Sequence, residues 1–402
     1  AVLLITSVAS GIYPSLYISK FQVVGILKGS VKFGQKNPVT KIFMTLQLIL
    51  ACIFVTGSVM FTQNRYYMAQ RSWGYNQDDA LYARVPDYAS YQKLHDAMAQ
   101  DANVLSISGS THHVGKSHSS TVLHFPDREY EVDQLSVDAK YFETMGLPLK
   151  AGRFFHDHAG SDKRAVVVNE LMVGNMGWTN AIGQVFKIDS IEYEVVGVVK
   201  DFHSYSFAKT VAPTIFKVAE QNDYRFLSLQ VRHGAEIKTF EKLQAKWAEL
   251  FPEIPFDGGH QEDVWGNYFV TIGIYGVVWR VIALIAISLA SLGLYGLIKL
   301  NVEGRTKEFS IRKVLGAGLK NIVSNVSSQY VALLIVALVI GAPVSYFLIG
   351  FVVSTASAYH MPIDFSGTLI AVAILILVFL FTITTQVRTV LKTNPVNGLK
   401  VE

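Results

Sequence analysis

Residues 281–298, VIALIAISLASLGLYGLI, form a stretch of eighteen residues without a charged side chain. As an α-helix this stretch is about 27 Å long, close to the thickness of the hydrocarbon core of a membrane. Arg280 and a group of aromatic residues precede it, and both residue types are typical of the boundary between lipid and water. The pattern predicts a membrane-spanning helix that begins outside the bilayer, near residue 267. The aromatic residues are Tyr268, Phe269, Tyr275 and Trp279.

Three further apolar runs, at 42–61, 330–353 and 367–387, are long enough to span a membrane as helices. Pro343 lies within 330–353, and it predicts a kink there because proline lacks the backbone N–H that continues a helix. With residues 281–298, these runs predict four complete membrane-spanning helices.

The composition agrees with a membrane protein that also has a soluble part. Half of the 402 residues are hydrophobic and 16% are charged, whereas about a quarter of the residues in soluble domains are charged. The single cysteine, Cys52, excludes a disulfide within the chain. The opening stretch AVLLITSVASGIYP has about ten apolar residues, too few to span a bilayer. We interpret it as the tail of a preceding helix and expect the chain to be the C-terminal part of a longer protein.

The distribution of basic residues predicts the orientation. Residues 11–41 contain five lysines and no acid, the 299–320 loop contains six basic residues, and the 354–366 loop contains neither lysine nor arginine. Because short cytoplasmic loops are enriched in lysine and arginine, the first two segments are expected in the cytoplasm and the third outside. Residues 64–266 are then also outside.

This outer region is large enough for a folded domain and mixes strand and helix patterns. Residues 128–137 alternate as a strand, Asp138 is a candidate cap for a short helix that Gly146 closes, and 235–251 show a helical apolar stripe. The stripe consists of Ile237, Phe240, Leu243, Trp247 and Leu250. The predicted fold class is an α-helical membrane protein with an α+β extracytoplasmic domain, with four complete transmembrane helices plus the tail of a preceding one.

The sequence contains no nucleotide-binding or hydrolytic motif that we can identify. It has no G-x-x-x-x-G-K-[ST] loop, H-E-x-x-H, C-x-x-C or G-x-S-x-G. Asp201, His203 and Ser204 occur together, but catalytic triads are assembled in space rather than from neighbouring residues. We therefore predict no catalytic residue, no cofactor site and no ATP binding by this chain.

Ten of the eleven histidines lie in the outer region. Histidines two residues apart on a strand point to the same face and are able to share a metal ion. Their polar surroundings favour solvated histidines instead, so no metal site is predicted. Two clusters stand out: His112, His113 and His118, and then His156 and His158.

Residues 306–321, TKEFSIRKVLGAGLKN, have the pattern of a basic amphipathic helix between two membrane spans. Glu308 and Arg312 have the favourable i, i+4 order. One interpretation is a helix on the surface of anionic lipid. The other is a helix that inserts its apolar face into a groove of a cytoplasmic partner. The residues alone leave both open. The apolar face consists of Ile311, Val314, Leu315, Leu319 and Ile322.

The segment EFSIRKVLGA (308–317) resembles the E-x-x-I-R-K-x-L-G-A signature of permeases in the FtsX/MacB-like ABC transporter superfamily. Four stretches of the outer region look like the MacB-type periplasmic core domain, in the usual order: 137–155, 165–178, 181–186 and 193–207. Residues 11–30 and 394–402 resemble parts of the eight-span permeases of Bacteroidota. The chain departs from the family after FPEIPF (251–256), where an acidic-aromatic stretch is usual.

The resemblance implies that 306–321 is a coupling helix, which docks on a separate cytoplasmic ABC ATPase dimer. ATP and Mg belong to that partner. The apolar residues would enter a groove of the ATPase, while the basic pair contacts its acidic rim. The implied docking residues are Glu308, Ile311, Arg312, Lys313, Val314, Leu315 and Gly316.

The implied function is a permease subunit that couples ATP hydrolysis to movement of a periplasmic domain, for export or extraction of a peptide, lipid-linked or antibiotic-like substrate. An alternative is a regulatory complex that controls a periplasmic enzyme or sensor kinase without transport. Another is a membrane-anchored binding domain without an ATPase. Further expected partners are a second permease copy or the missing N-terminal half, a periplasmic or outer-membrane protein, and membrane lipid, but no nucleic acid.

The expected location is the bacterial inner membrane, with multiple spans and 64–266 in the periplasm. The predicted organisation, in chain order, is a truncated helix end and cytoplasmic linker (1–40), a transmembrane helix (41–63), the MacB-like domain with two lobes possible (64–266), a stalk and transmembrane helix (267–300), the coupling helix (301–325), a transmembrane helix (328–353), a periplasmic loop (354–366), a transmembrane helix (367–387) and a cytoplasmic tail (388–402).

Overall fold

The computed structural model describes residues 38–125, 129–156, 162–303 and 319–392. The expected helix tail and linker in residues 1–37, the histidine at 158, the centre of the predicted coupling helix (304–318) and the end of the tail (393–402) lie outside the described residues.

The described chain contains eight α-helices and eleven strands. In chain order they are α1 (Pro38–Ala69), β1 (Ala80–Arg84), α2 (Tyr88–Met98), β2 (Val104–Ser110), β3 (Ser119–His124), β4 (Glu129–Val137), α3 (Tyr141–Thr144), β5 (Leu149–Gly152), β6 (Ala165–Asn169), α4 (Glu170–Met176), β7 (Val185–Ile188), β8 (Ile191–Val199), β9 (Thr214–Val218), β10 (Phe226–Val231), α5 (Glu236–Leu250), β11 (Gly258–His260), α6 (Gly266–Glu303), α7 (Leu319–Ala356) and α8 (Ser366–Lys392).

The described residues form two compact units. The helical unit contains 38–61, 277–303, 319–351 and 363–392, and the sheet unit contains 62–125, 129–156, 162–276 and 352–362. Four long helices, at 40–69, 261–301, 327–356 and 366–385, are apolar and long enough to cross a membrane. The prediction of four complete membrane-spanning helices is confirmed.

Small side chains allow the helices of the helical unit to pack closely. Ala51, Cys52, Ala337 and Ala371 are fully buried in its core. A Cβ atom added to Gly341 would lie 3.2 Å from Cβ of Cys52, so α1 and α7 approach closely at this glycine. Small residues at such contacts are typical of helices in membranes, where close van der Waals packing drives association.

The sheet unit contains a closed ring of six strands. Strand β4 pairs with β3, and the pairing continues through β7, β8, β6 and β9 back to β4. In β6, Val166 and Val168 face one apolar core while Ala165 and Val167 face another. A strand buried on both faces reads as a continuous apolar run, which explains the sequence AVVV.

A second sheet region, in the order β11-β1-β10-β2, joins the ring through one residue pair between β2 and β4. Helices α2 and α5 pack on it in a third apolar core. The Asp87 side chain begins α2 by accepting a hydrogen bond from the Ser90 amide at 2.8 Å, as N-cap residues do. The α+β class predicted for this region is confirmed.

Two local predictions are corrected by the structure. The short helix α3 begins after Lys140, and the Asp138 carboxylate instead accepts a hydrogen bond from the Gly109 amide at 2.6 Å. Leu243 and Trp247 of the α5 stripe are buried, but Ile237 is 71% exposed. Ile237 lies in the first turn of α5, outside the set of side chains that forms the third core.

Candidate functional site

All seven predicted docking residues lie in 304–318, outside the described residues, so their role stays a prediction. They are Glu308, Ile311, Arg312, Lys313, Val314, Leu315 and Gly316. The structure does describe the helices that border this segment, since α6 ends at Glu303 and α7 begins at Leu319.

A buried tyrosine joins α6 to α7 close to the predicted coupling segment. The Tyr330 hydroxyl donates a hydrogen bond to the Leu297 carbonyl at 3.1 Å and accepts one from the Asn301 side-chain amide at 3.1 Å. Tyr330 is only 4% exposed. A buried hydroxyl with both partners satisfied favours one fixed arrangement. The last turns of α6 and the first turns of α7 are therefore held together by polar contacts as well as apolar packing.

At the other end of α6, a buried polar network holds the 3₁₀ turn Gln261–Trp265, which leads directly into the helix. The Gln261 side chain is fully buried, and its Oε1 lies 2.7 Å from Nε2 of His113. Its Nε2 donates to the Val114 carbonyl at 3.1 Å. Because the amide oxygen only accepts, Nε2 of His113 carries the proton.

The remaining ring nitrogen of His113 accepts from other elements of the sheet unit. Nδ1 lies 3.1 Å from the Ser228 hydroxyl on β10 and 3.4 Å from the Tyr141 hydroxyl on α3. Burial lowers the pKa of His113 to about 4, against the opposing effect of the Gln261 hydrogen bond. His113 is therefore neutral at neutral pH, and a proton added to it would face three groups arranged for the neutral ring.

Aromatic side chains surround the same turn. The Trp265 ring stacks on Trp73 with a centroid distance of 3.9 Å, and Phe207 meets it edge-on at 5.2 Å. Trp73 follows the end of α1, whereas Trp265 precedes α6. Both chain segments that border the sheet unit therefore share one apolar core.

The structure corrects the expectation of solvated histidines at His113, which lies in the core. In contrast, His118 is exposed and contacts the Tyr205 hydroxyl at 2.6 Å, and His156 pairs with Asp162 at 3.1 Å. Sequence reasoning missed the role of His113 because its partner Gln261 is 148 positions away.

One group among the described residues has a geometry able to hold a metal ion: Asp79, His233 and Glu236. Nδ1 of His233 lies 2.8 Å from the Asp79 carboxylate, which raises the pKa of His233. The three groups therefore also form a satisfied ion-pair cluster without a metal. None of them belongs to the histidine clusters that the sequence singled out.

Four long apolar helices and a mixed α+β unit define a membrane protein with several spans and a folded extracellular domain. Residues 42–244 match the family model of the MacB-like periplasmic core domain, and residues 280–395 match the FtsX-like permease C-terminal model. The chain belongs to the FtsX/MacB-type family of ABC transporter permeases. The outer domain, as we now call the sheet unit, is its MacB-like part.

The curated relatives that match carry low sequence identity. They include the uncharacterized ABC transporter permease YknZ of Bacillus subtilis, 22% identical, with 60% of this chain and 63% of that protein covered. The probable syringafactin export ATP-binding/permease protein SyfD of Pseudomonas syringae is 24% identical, with 54% and 35% covered. The chain thus spans less than two thirds of the length of these relatives.

Two of the solved structures that resemble the chain are extracytoplasmic domains. The periplasmic region of MacB from Actinobacillus actinomycetemcomitans is 13% identical, has a TM-score of 0.38 and covers 50% of this chain and 97% of that one. The extracellular domain of YknZ from Gram-positive bacteria is 17% identical, with a TM-score of 0.30 and coverage of 41% and 88%.

Proposed function

We propose that this permease couples ATP hydrolysis by a separate cytoplasmic ABC ATPase dimer to movement of its outer domain. The observation that supports this most directly is the helix α6, which runs over 38 residues from Gly266 to Glu303 without a proline. Proline is one of the main causes of sharp kinks in helices, so its absence suits a helix that transmits displacement along its axis. One end follows the buried His113–Gln261 network, and the other precedes the proposed coupling segment.

In this proposal, the apolar face formed by Ile311, Val314 and Leu315 docks in a groove of the ATPase. Arg312 and Lys313 contact acidic residues at the rim of that groove. ATP and Mg bind to the partner, and this chain supplies mechanical coupling rather than hydrolysis. The Tyr330 contacts support the proposal because they join the two helices that border the segment.

The proposed process is export or extraction of a peptide, lipid-linked or antibiotic-like substrate across the bacterial inner membrane. The support is that relatives are named as a syringafactin exporter and a macrolide exporter. The proposed further partners are a second permease copy or an N-terminal half, together with a periplasmic or outer-membrane protein.

Co-purification tests the coupling role. The full-length protein is isolated from its native membranes, and accompanying proteins are identified by mass spectrometry. The test variant is Ile311→Asp with Leu315→Asp, which charges the apolar face. The control is Asn394→Asp with Asn397→Asp, which adds the same charge to the C-terminal segment, outside 306–321. We expect an ABC ATPase to co-purify with wild type and with the control. It should be absent from the test variant at equal permease abundance.

Absence of an ATPase from every form would contradict the proposal and leave 306–321 as a lipid-surface helix. Equal loss from the control would show that charge in general, rather than the apolar face, disturbs the complex. A periplasmic hydrolase or sensor kinase that co-purifies together with the ATPase would favour the regulatory complex over export.

A further inference from the structure

A cleft of about 380 Å³ opens in the outer domain beside α2. Cavities of roughly 300–1,000 Å³ are typical of sites for small organic ligands. Five parts of the chain line it: α2, the centre of β2, the segment after β4, the segment after β5 and the connection from β9 to β10. The polar network described above does not contribute to its walls. Its lining includes Tyr88, Tyr91, Gln92, Asp138, Gln221 and Tyr224.

Three tyrosine rings form an aromatic wall of the cleft. Tyr91 meets Tyr224 edge-on at a centroid distance of 4.9 Å, and Tyr88 stacks with Tyr91 at 5.9 Å. Tyr88 also meets Tyr224 edge-on at 5.7 Å. Faces of aromatic rings attract organic cations through their quadrupoles.

Gly109 on β2 makes this wall possible. A Cβ atom at position 109 would lie 2.1 Å from Cε2 of Tyr224 and 2.9 Å from Cζ of Tyr91. No side chain fits there, so the rings lie directly against the backbone of β2. The same glycine donates its N–H to Oδ2 of Asp138 at 2.6 Å. One residue therefore positions both the aromatic wall and the carboxylate.

Asp138 lacks a partner for its second oxygen. Oδ1 is buried and has no hydrogen-bond partner among the described residues. Burial raises the pKa of Asp138 to about 7, although the backbone amides of Gly109, Tyr141 and Lys140 act in the opposite direction. A buried carboxylate without a cation is costly, so a cationic group that reached Oδ1 would gain a strong charge-assisted hydrogen bond.

No side chain around the cleft supplies that cation in the parts of the chain that the structure describes. The Lys140 side chain lines the cleft and is exposed, but no ion pair joins it to Asp138 in the described parts of the chain. His95 at the cleft pairs instead with Asp96, at 3.1 Å. Gln92 and Gln221 add neutral hydrogen-bonding groups that would orient a polar substituent.

We propose that this cleft binds a small organic amine, whose ammonium group contacts Asp138 while its aromatic or apolar body lies against Tyr88, Tyr91 and Tyr224. The site lies within the outer domain alone and does not rest on the coupling role. The groups that face Asp138 are the three backbone amides, the Lys140 ammonium and the hydroxyls of Tyr91, Tyr141 and Tyr224. Burial raises the pKa of all three tyrosines, which therefore stay neutral in the relevant range.

Equilibrium dialysis of the full chain in nanodiscs tests the site, with labelled tryptamine as the probe and its uncharged analogue tryptophol as the comparison. Empty nanodiscs correct for partition into lipid. We expect saturable binding of tryptamine below about 1 mM and at least about tenfold weaker binding of tryptophol. As the pH falls below about 7, protonation of Asp138 is expected to weaken tryptamine binding, by up to about tenfold per pH unit.

Two variants and a matched control complete the test. Asp138→Asn keeps the shape and the bond to Gly109, and it should weaken tryptamine binding about tenfold or more. Tyr88→Leu keeps apolar packing but removes a ring face, with an expected loss of about three- to tenfold. Glu143→Gln, which removes an exposed acid of α3 outside the cleft, should leave the affinity unchanged.

Equal binding of tryptamine and tryptophol, no saturable binding, or an unchanged affinity in Asp138→Asn would overturn the proposal. Thermal unfolding shows whether each variant is folded. If Asp138→Asn does not fold, an unchanged affinity in folded Tyr88→Leu has the same consequence. Neither result would bear on ATPase co-purification, so the two proposals fail separately.

Discussion

His113 illustrates how a single buried side chain organises the outer domain. Its two ring nitrogens contact Gln261 and Ser228, which lie on different elements of the fold. A buried polar group is stable only when its partners are present, and removal of one partner leaves the other unsatisfied. The geometry of these contacts fits the neutral ring alone, and this makes the residue sensitive to acid.

The first prediction concerns the pH dependence of this contact. The pKa of His113 falls from an ordinary 6.5 to about 4 in the folded protein. Between these values the unfolded state binds more protons, so the contribution of His113 to stability is present above pH 6.5 and is lost as the pH falls toward 4. The full difference between these two pKa values corresponds to about 3 kcal/mol in the free energy of unfolding. The pKa of Asp138 is shifted in the opposite direction, so wild type alone does not isolate this effect.

A comparison of wild type with His113→Gln isolates the effect of His113 protonation on stability. At pH 7.5 the variant should be about 1–3 kcal/mol less stable than wild type, and this difference should shrink as the pH is lowered to 5. Thermal unfolding of the full chain, followed by tryptophan fluorescence at both pH values, measures it. His124→Gln, at an exposed histidine of β3, should show no such pH-dependent difference. A constant difference for His113→Gln would mean that His113 is not held neutral.

The second prediction concerns Gly109. Gly109→Ala places a methyl group where Tyr224 now lies, and we expect a loss of about 1–3 kcal/mol, as for other overpacked cores. Gly174→Ala provides the contrast, because this glycine is in α4 and its added Cβ meets no atom within 4 Å. Alanine in a helix should there be neutral or stabilising by up to about 1 kcal/mol. Unfolding midpoints of the two variants give the comparison. Similar midpoints would contradict the close packing at Gly109.

At the scale of elements, the packing of the helical unit depends on close approach between particular helices rather than on hydropathy. Cys52 and Thr56 of α1 face Ser345 of α7, and Thr56 donates to the Ser345 hydroxyl at 3.1 Å. Gly341 lies one turn away on α7 and removes the side chain that would separate the helices. Polar contacts and small residues act together here, as is common within membranes.

The third prediction is therefore that Gly341→Leu separates α1 from α7. We expect a loss of about 1–3 kcal/mol in unfolding with increasing SDS, because the new side chain would overlap Cys52. Gly296→Leu adds the same volume to α6 at a position with open space around the Cβ. It should have little effect. If both variants unfold alike, the contact between α1 and α7 does not decide the stability of the unit.

At the scale of the whole molecule, α6 contributes residues 266–276 to the outer domain and residues 277–303 to the helical unit. This continuity is the reason to expect that a change at one end is transmitted to the other. The expectation depends on an unbroken helix, since a proline in its middle would remove a hydrogen bond and bend it.

The fourth prediction tests this continuity. Leu289 of α6 is 53% exposed, so its replacement disturbs little packing. We expect the nucleotide-trapped ATPase to alter hydrogen exchange of outer-domain amides in wild type and in Leu289→Ala. Leu289→Pro should abolish the change while the ATPase still co-purifies. An unaltered response in Leu289→Pro would show that α6 is not the transmitting element.

The apolar runs and the charge distribution were sufficient to predict the four membrane-spanning helices, because hydropathy and helix length are properties of a continuous stretch. The α+β class and the family signature were likewise readable along the chain. The docking role of 306–321 stays a prediction. The cap assigned to Asp138 was wrong: the helix α3 begins after Lys140, and the Asp138 carboxylate accepts a hydrogen bond from Gly109 on β2, 29 positions away.

The sequence by itself thus determined the spans and the family, since each depends on neighbouring residues. Only the tertiary structure decided the closure of the strand ring, the burial of His113 with Gln261, and the assembly of three tyrosines with Asp138. These features join residues far apart in the chain, and local patterns carry no information about which distant groups will meet. A histidine in a polar sequence becomes a core residue only when the fold supplies its partners.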